Sequence, residues 1–284
     1  MPEVLRILSR LTPRPVKHGV KLWLRPEYRD PRYRELERLR NLTRYQADTT
    51  TLMGEPIRIL DAGAFLTMHK EIVEEAIYHF RTQNKRPYII DGGANIGVSV
   101  LYFKQVYPGA HIVAFEPDDA AFSLLKVNVG SRGYDGVTLV NKALAATDTS
   151  LSFAAEGAYA GRLARAGDSS TASVPAVRLR PYLDRRVDLL KLNIEGAETE
   201  VLEDCADLLG NVERIVLEYH SFAREGQSLH TLLSVLADVG YRLYVRSVHS
   251  AWPLQPFIDI PVHLGMDLQL YVYAYRDWQG REKP

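Results

Sequence analysis

Short apolar runs alternate with longer amphipathic stretches along most of this chain. The short runs are typical of buried strands, whereas the longer stretches repeat their apolar positions with helical spacing. This pattern predicts seven strands, at residues 87–91, 110–116, 137–144, 187–194, 214–220, 241–247 and 268–275. It predicts helices at residues 97–106, 120–129, 196–209 and 229–239.

The order of these elements predicts an α/β fold. Strands that alternate with helices form a mostly parallel sheet covered on both faces. No helix separates the last two strands, and their Pro-containing connection is too irregular for a crossover. We therefore expect the last two strands to pair antiparallel.

The first 44 residues differ from the rest of the chain. They contain an amphipathic stretch near the N-terminus and a second helix that starts at Asp30-Pro31 and runs to about residue 45. They carry twelve basic and five acidic side chains, a charge of +7, within a chain whose net charge is zero. We predict a basic helical extension over residues 1–50, followed by one domain over residues 51–284. The extension is a solvated helical face, a homodimer contact, or a peripheral anchor to anionic lipid or a phosphate-bearing glycan carrier.

Composition and charge argue against several classes of protein. The zero net charge argues against a nucleic-acid partner. Cys205 is the single cysteine, which excludes a disulfide scaffold. No apolar run approaches the roughly 18 residues of a membrane span, and Arg6 and Arg10 interrupt any secretory signal. We expect a cytoplasmic protein, peripheral at the membrane only if the basic extension is an anchor.

The segment YIIDGGANIGVSVLYF, residues 88–103, carries the most information about function. A buried strand ends at Asp91, and Gly93 and Gly97 enclose a tight loop that opens a helix. Glycines allow close approach of a ligand, and a helix start favours an anionic group. The acid at the strand end suits S-adenosylmethionine, which carries an ammonium and a sulfonium, better than a dinucleotide.

A second acid supports a nucleoside ligand. Glu116 ends the next strand in AFEP, 25 residues after Asp91. A carboxylate at that position can accept hydrogen bonds from both ribose hydroxyls. The alternative is that both acids merely cap nearby helices.

Three segments resemble the FkbM family of S-adenosylmethionine-dependent methyltransferases: IIDGGANIG, AFEPDDAAFSLLKVNV and LLKLNIEGAETEVL. The resemblance covers roughly residues 57–245, and the KLNIEGAE block is its most specific part. It implies the class I methyltransferase fold, a Rossmann-like seven-stranded sheet with the last strand inserted antiparallel. It also implies O-methylation of hydroxyl groups on sugars, glycans and natural products.

The resemblance assigns cofactor-binding roles to seven residues. Those on the methionine and adenosine side are Asp91, Gly93, Asn95 and Gly97. Glu116 would bind the ribose, and Asn141 with Ala143 would border the adenine.

Two positions depart from the family pattern. Asn193 stands where the family has Asp, and Arg180 replaces another Asp. The first change removes a charge that could bind a metal or act as a base. The histidines are scattered singly, so we predict no metal site. A cofactor-binding module that has lost catalysis is therefore an alternative to the enzyme.

Four residues are catalytic candidates. His220 ends the fifth strand, and its intrinsic pKa suits a general base, with Glu218 orienting it. The alternative is that His220 caps the following helix or forms a hydrogen bond within a loop. Glu195 and Glu198 face the pocket or favour the helix dipole. Lys191 is a substrate contact or a strand-edge cation.

The acceptor region is less well defined. Residues 154–173 are either a disordered surface loop or a lid, and His249 and Trp252 are candidates for the acceptor pocket. We predict an enzyme of carbohydrate or natural-product chemistry that O-methylates a small-molecule or glycan acceptor. The alternative reaction is N-methylation of an amino sugar or peptide.

Overall fold

The structure is a computed structural model that describes residues 26–155, 161–163, 172–248, 257–258, 260, 262 and 265–276. The chain divides into two compact units, Met1–Leu66 and Thr67–Pro284. The boundary predicted between residues 50 and 51 stays a prediction.

Among the residues that the structure describes, the first unit includes a helix and a hairpin before the start of a second helix. A 3₁₀ turn, Pro26–Arg29, precedes helix α1, Pro31–Arg40. The strands of the hairpin are β1, Asp48–Thr50, and β2, Ile57–Ile59. Asp30 caps α1 as predicted, because its side chain accepts a hydrogen bond from the Arg32 amide at 2.8 Å. The helix ends before residue 45, since the Asn41 side chain binds the Glu37 carbonyl at 2.6 Å and closes the last turn.

The second unit is built on a seven-stranded sheet. Its strand order is β12-β13-β11-β10-β3-β4-β5. The strands are β3 Tyr88–Gly92, β4 His111–Phe115, β5 Val137–Val140, β10 Leu189–Leu192, β11 Arg214–Phe222, β12 Arg242–Ser247 and β13 Met266–Tyr275. Strand β13 is antiparallel to both of its neighbours, β11 and β12, and the other neighbouring pairs are parallel. The predicted mixed α/β sheet with an inserted antiparallel last strand is confirmed.

Helices follow the parallel strands, as the pattern predicted. They are α3 Val98–Val106, α4 Asp119–Gly130, α5 Glu198–Asp204 and α6 Leu229–Asp238. Helix α2, Ala62–Met68, contains the boundary between the two units and continues into a π-helical segment, His69–Glu74. Helices α5 and α6 contribute Leu202 and Leu236 to the same buried hydrophobic cluster as Leu190 of β10 and Leu217 of β11. This packing fixes the carboxyl ends of the parallel strands, where the polar residues of the candidate site lie.

Where the structure describes residues 154–173, they lie in strands and not in a disordered loop, and the lid alternative stays a prediction. They contribute to a second sheet, of order β6-β9-β7-β8. Its strands are β6 Ala143–Ala145, β7 Ser150–Ala155, β8 Gly161–Leu163 and β9 Ala172–Arg178. Val174 and Ala176 are buried while Ser173 and Pro175 are exposed, so the alternation of a half-buried strand was present in the sequence.

Helix α5 is shorter than the predicted helix at residues 196–209. It ends at Asp204, whose carbonyl accepts a hydrogen bond from the Arg180 guanidinium. Arg180 also pairs with the Asp207 carboxylate, and Arg178 pairs with that of Asp204. The two arginines therefore hold the end of α5, and the departure from the family pattern at Arg180 has a structural reason. Among the described residues, no helix is both long and apolar enough to cross a membrane.

Candidate functional site

The site residues predicted from the sequence lie where the parallel strands end. Strand β3 lies between β4 and β10, and β11 follows β10 in the sheet. Because these strands are parallel, their carboxyl ends share one edge. Gly93 lies so close to the chain after β10 that a Cβ atom there would be 1.9 Å from the Asn193 carbonyl oxygen. The first strand end and the KLNIEGAE block are therefore in direct contact.

The loop after β3 adopts the backbone that its sequence requires. Gly93, Asn95 and Gly97 have positive φ angles of 79°, 49° and 96°. The amides of Gly93 and Ala94 both donate to the Phe115 carbonyl, at 3.0 and 2.9 Å. These two hydrogen bonds attach the loop to the end of β4.

Asp91 and Lys191 form a buried ion pair beneath this loop. The Lys191 Nζ lies 2.9 Å from Asp91 Oδ1, and it donates to the carbonyls of Gly92 and Gly93 at 2.9 and 2.5 Å. Ser99 donates to the other Asp91 oxygen at 2.5 Å. Lys191 thus fixes the loop through hydrogen bonds to its carbonyl groups, which makes it a positioning residue in this structure.

Glu116 connects the loop to the end of β4. Its carboxylate accepts hydrogen bonds from the amides of Asn95 and Asp118, at 2.8 and 2.9 Å. The residue is 5% exposed, and burial raises the pKa of its carboxyl group to about 7, although both amide bonds lower it. A ligand that donates hydrogen bonds to Glu116 would stabilise the charged form.

Asn141 and Ala143 lie where the chain passes from the large sheet to the small one. The Asn141 side chain donates to the carbonyls of Glu116 and Pro117, at 3.0 and 3.3 Å. These bonds explain why the predicted strand at residues 137–144 is divided into β5 and β6. Ala143 is buried in the small hydrophobic cluster of the second sheet.

Three carboxylates surround His220 at the end of β11. Its Nδ1 lies 3.2 Å from Glu198 Oε1, and its Nε2 lies 3.7 Å from Glu195 and 3.5 Å from Glu218. The imidazole is 1% exposed, whereas the Glu195 side chain is 23% exposed. We call His220 with these three glutamates the carboxylate cluster.

The carboxylate cluster favours a protonated His220. Burial alone would lower the pKa of His220, but the charges of Glu195 and Glu198 and the hydrogen bonds more than offset it. The pKa of His220 therefore lies well above its usual value. This is the opposite of the state that the predicted general base requires, since a base must be neutral to accept a proton.

Glu195 and Glu198 hold different positions in the cluster. Glu198 is buried and accepts hydrogen bonds from the amides of Ile194 and Gly196, both at 3.0 Å, so it fixes the turn after β10. Glu195 lies within that turn at a φ of 56°, a left-handed backbone conformation that non-glycine residues rarely adopt. Such positions concentrate at functional sites.

Asn193 completes a hydrogen-bonded network with Glu218. Its amide donates to Glu218 Oε2 at 2.8 Å, and Gln269 donates to Oε1 at 3.3 Å. A carboxylate at position 193 would repel Glu218 at this distance, whereas an amide bonds to it. Asn193 therefore suits a position beside the carboxylate of Glu218.

Comparisons with known proteins agree with this geometry. The family model described as the methyltransferase FkbM domain matches residues 91–243, more than half of the chain. The chain belongs to the FkbM methyltransferase family. The match begins at Asp91 and includes the glycine loop, Glu116 and the whole carboxylate cluster. Membership of this family implies S-adenosylmethionine as the cofactor, and the strand order is that of the class I methyltransferases.

Two curated relatives of this chain are fungal. Methyltransferase 1 of Beauveria bassiana (strain ARSEF 2860) is 30% identical over 175 residues, which cover 51% of this chain and 70% of that protein. Methyltransferase sdnD of Sordaria araneosa is 28% identical over 173 residues, covering 48% and 67%.

Two solved structures are also similar. Methyltransferase FkbM from Methylobacillus flagellatus KT has 14% identity and a TM-score of 0.46, covering 86% of this chain and 59% of that one. M. jannaschii TYW2 in complex with AdoMet has 15% identity and a TM-score of 0.47, covering 83% and 89%. This chain thus spans less than two thirds of the Methylobacillus protein.

Sequence reasoning missed one ionisable residue beside the carboxylate cluster. Glu71 lies in the π-helical segment, and burial together with the charge of Glu218 raises its pKa to about 7. Tyr271 of β13 lies next to both acids. Glu71 is distant in sequence from the family motifs, so no local pattern indicated it.

Two other observations concern the remaining candidates. Among the described residues, no group of three or more His, Cys, Asp or Glu side chains is arranged to hold a metal ion. His249 and Trp252, which we considered for the acceptor pocket, lie outside the described residues.

Proposed function

We propose that this FkbM methyltransferase transfers a methyl group from S-adenosylmethionine to a hydroxyl group of a sugar, glycan or glycosylated natural product. The observation that carries the proposal is the carboxylate of Glu195. It is partly exposed, it faces a protonated His220, and it follows the strand that contacts the glycine loop. A hydroxyl acceptor must lose a proton as it is methylated, and a carboxylate can accept that proton.

The residues of the first two strand ends fit the cofactor. In our proposal the loop at Gly93, Asn95 and Gly97 lines its methionine and adenosine side, and Asp91 positions that loop through its ion pair with Lys191. Glu116 would bind the ribose, because two hydroxyl donors favour the charged form of a buried carboxyl group. Asn141 and Ala143 would border the adenine.

When bound, S-adenosylmethionine would supply an activated methyl group and leave as the neutral thioether S-adenosylhomocysteine. The chain must align the acceptor oxygen with that methyl group and receive the hydroxyl proton. We assign proton acceptance to Glu195. His220 keeps its own proton and stabilises the neighbouring carboxylates, while Glu198 and Lys191 position the turn and the loop.

One assay separates this reaction from its two alternatives. The protein is incubated with S-adenosylmethionine and with matched hydroxyl and amine acceptors on the same sugar frame, and the product is examined by mass spectrometry and NMR. An O-methyl product with equimolar S-adenosylhomocysteine supports the proposal. Methyl on nitrogen alone favours the amino-sugar or peptide reaction, and calorimetric binding without any product favours a module that has lost catalysis.

For the basic extension we propose a solvated face or homodimer contact in preference to a membrane or glycan-carrier anchor. Three of its arginines already have acidic partners within the first unit. Arg38 pairs with Glu35 and Asp48, Arg40 with Glu37, and Arg44 with Asp61. Removal of residues 1–44 should therefore leave liposome binding unchanged, and a loss of binding would favour the anchor.

A further inference from the structure

A cavity of about 320 Å³ lies at the amino ends of β10 and β11. Its sheet wall includes Leu189 and Arg214, which are the first residues of these two strands, together with Val216 and Tyr273. All of its lining residues belong to the second unit. Open α/β sheets bind cofactor and substrate at the carboxyl ends of their strands, so this cavity is separate from the candidate site.

The opposite wall is the chain that follows the π-helical segment, including Ile77, Tyr78 and Phe80. Hydrogen bonds fix its position. The Phe80 amide donates to the Tyr107 hydroxyl oxygen at 2.8 Å, and that hydroxyl donates to the Phe80 carbonyl at 2.5 Å. The two rings also pack, with their centres 4.5 Å apart. The protein's own contacts thus hold this wall in place, and preformed walls are typical of small-molecule sites.

The lining is largely apolar and aromatic. The side chains of Ile77, Leu189 and Val216 are buried, as are those of Tyr78 and Phe80. Aromatic rings present large apolar surfaces against which another ring packs well. The volume is at the small end of the range of small-molecule sites, which is roughly 300–1,000 Å³. We therefore expect an occupant with a compact apolar ring system.

Two arginines give the cavity positive charge. Arg81 is exposed, whereas the Arg214 side chain is only 19% exposed. Arg214 lies 5.5 Å from the centre of the Phe80 ring and 3.5 Å from Glu213, which is closer to Arg186 at 2.7 Å. A guanidinium carries five N–H groups, and 3.5 Å is long for a charged hydrogen bond. Beyond its contacts in the described part of the chain, Arg214 therefore keeps donors for an anion.

Tyr78 separates the cavity from the candidate site. Its ring lines the cavity, and the ring centre lies 5.8 Å from Nζ of Lys191, which pairs with Asp91. Tyr78 and Lys191 are both buried. A ligand in the cavity would therefore contact Tyr78 and not the glycine loop, so its binding can be measured with the cofactor site occupied.

We propose that this cavity is a second ligand site, which binds a small aromatic carboxylate. The ring packs against Phe80 and Tyr273, and the carboxylate pairs with Arg214 in the forked geometry that a guanidinium offers. An uncharged ring of the same shape lacks the charged hydrogen bonds. The site goes beyond methyl transfer and does not depend on which acceptor is methylated.

Calorimetry on the full chain, loaded with S-adenosylhomocysteine, tests the site with 2-naphthoate and its uncharged match, 2-naphthamide. We expect 2-naphthoate to bind about tenfold to a hundredfold more tightly, because only a carboxylate forms charged hydrogen bonds with Arg214. Arg214→Gln should reduce its binding to that of the amide. Arg86→Gln, an exposed change outside the lining, should leave it unchanged. Equal binding of the two probes, or no binding of 2-naphthoate, would overturn the proposal.

Methyl resonances of the full chain locate the probe, and they decide the matter even if Arg214→Gln fails to fold. Binding of 2-naphthoate should shift the methyl signals of Ile77, Leu189 and Val216 in the lining. The methyl signals of Ile194, which lies beside Gly92 in the candidate site, should stay unchanged. Shifts at Ile194 without shifts in the lining would place the probe in the candidate site and overturn the proposal.

The competing occupant is the chain's own C-terminal segment, residues 277–284, which follows β13 and contains Trp278. Calorimetry on Trp278→Ala separates the two. Equal affinity of this variant and the unsubstituted chain for 2-naphthoate supports the external ligand. Binding that appears only in Trp278→Ala would assign the cavity to the segment and overturn the proposal.

Discussion

The two halves of the candidate site lie at one edge of the sheet, but their carboxylates are paired with cations to different extents. In the half that we propose binds the cofactor, formed by residues 91–97 and Glu116, one acid is neutralised by Lys191 and the other is buried without a cation in contact among the described residues. In the half that we propose binds the acceptor, formed by residues 193–198, Glu218 and His220, three carboxylates surround one imidazolium. The first half is held by an ion pair and backbone hydrogen bonds, whereas in the second half the described carboxylates outnumber the one imidazolium that they contact.

The largest expected effect concerns the ion pair under the glycine loop. Lys191→Met would leave Asp91 as an unpaired buried carboxylate, which costs about 3–5 kcal/mol of the free energy of unfolding. Denaturant titration measures this loss, with Lys126→Met as an exposed control on α4. Adding Asp91→Asn should recover much of the stability. A loss no larger than that of the control would show that the pair does not hold the loop.

The next effect tests the acceptor half. Glu195→Gln should lower kcat by about 10²–10³-fold, because the hydroxyl proton loses its acceptor. The affinity for S-adenosylmethionine should stay within about twofold, since the residue lies in the other half. Steady-state kinetics and calorimetry measure the two quantities, with Glu200→Gln as the control. A variant with normal kcat would remove Glu195 from the mechanism.

Glu116→Gln should act on the cofactor half alone. Loss of the charged hydrogen-bond acceptor should weaken cofactor binding by about tenfold to a hundredfold. Because the pKa of Glu116 is about 7, the affinity of the unsubstituted protein should rise from pH 6 to pH 8, while that of the variant stays flat. Asp119→Asn, an exposed change at the start of α4, is the control. A pH-independent affinity in the unsubstituted protein would contradict the assignment.

The same substitution should have the opposite effect on stability. The pKa of Glu116 is raised in the folded protein, so its contribution is fully present below about pH 4.5 and is lost as pH rises through 7. By pH 8 the unsubstituted protein should have lost on the order of 3 kcal/mol relative to Glu116→Gln. Thermal unfolding of both proteins across this range measures the difference, and parallel curves would show that burial does not strain this carboxylate.

The smallest expected effect lies outside both halves. Arg180→Ala removes a half-buried partner of the Asp207 carboxylate and the Asp204 carbonyl, and turnover and cofactor affinity should stay within about twofold of their original values. A large loss of turnover would show that this departure from the family pattern matters for catalysis.

The cofactor half was easier to predict from the sequence than the acceptor half. The spacing of Asp91, the loop glycines and Glu116 is local to two strand–turn–helix units, and the apolar periodicity gave the strands that carry them. The protonation of His220 depends on Glu195 and Glu198, which follow another strand, β10, and on a burial that no local pattern expresses.

Two structural features escaped prediction for a related reason. Lys191 reads as a strand-edge cation, although β10 is central and the side chain turns to the neighbouring loop carbonyls. The second sheet was missed because its strands are short and rich in small polar residues, so composition outweighed the alternation of Val174 and Ala176.

The charge of His220 tests the account most directly. Nitrogen chemical shifts of the labelled imidazole, assigned with His220→Asn, report its protonation from pH 6 to pH 9. The account predicts an imidazolium that persists well above the usual pKa of a histidine, and earlier loss of that proton in Glu195→Gln. A neutral ring at pH 7 would contradict it and would return His220 to the role of general base.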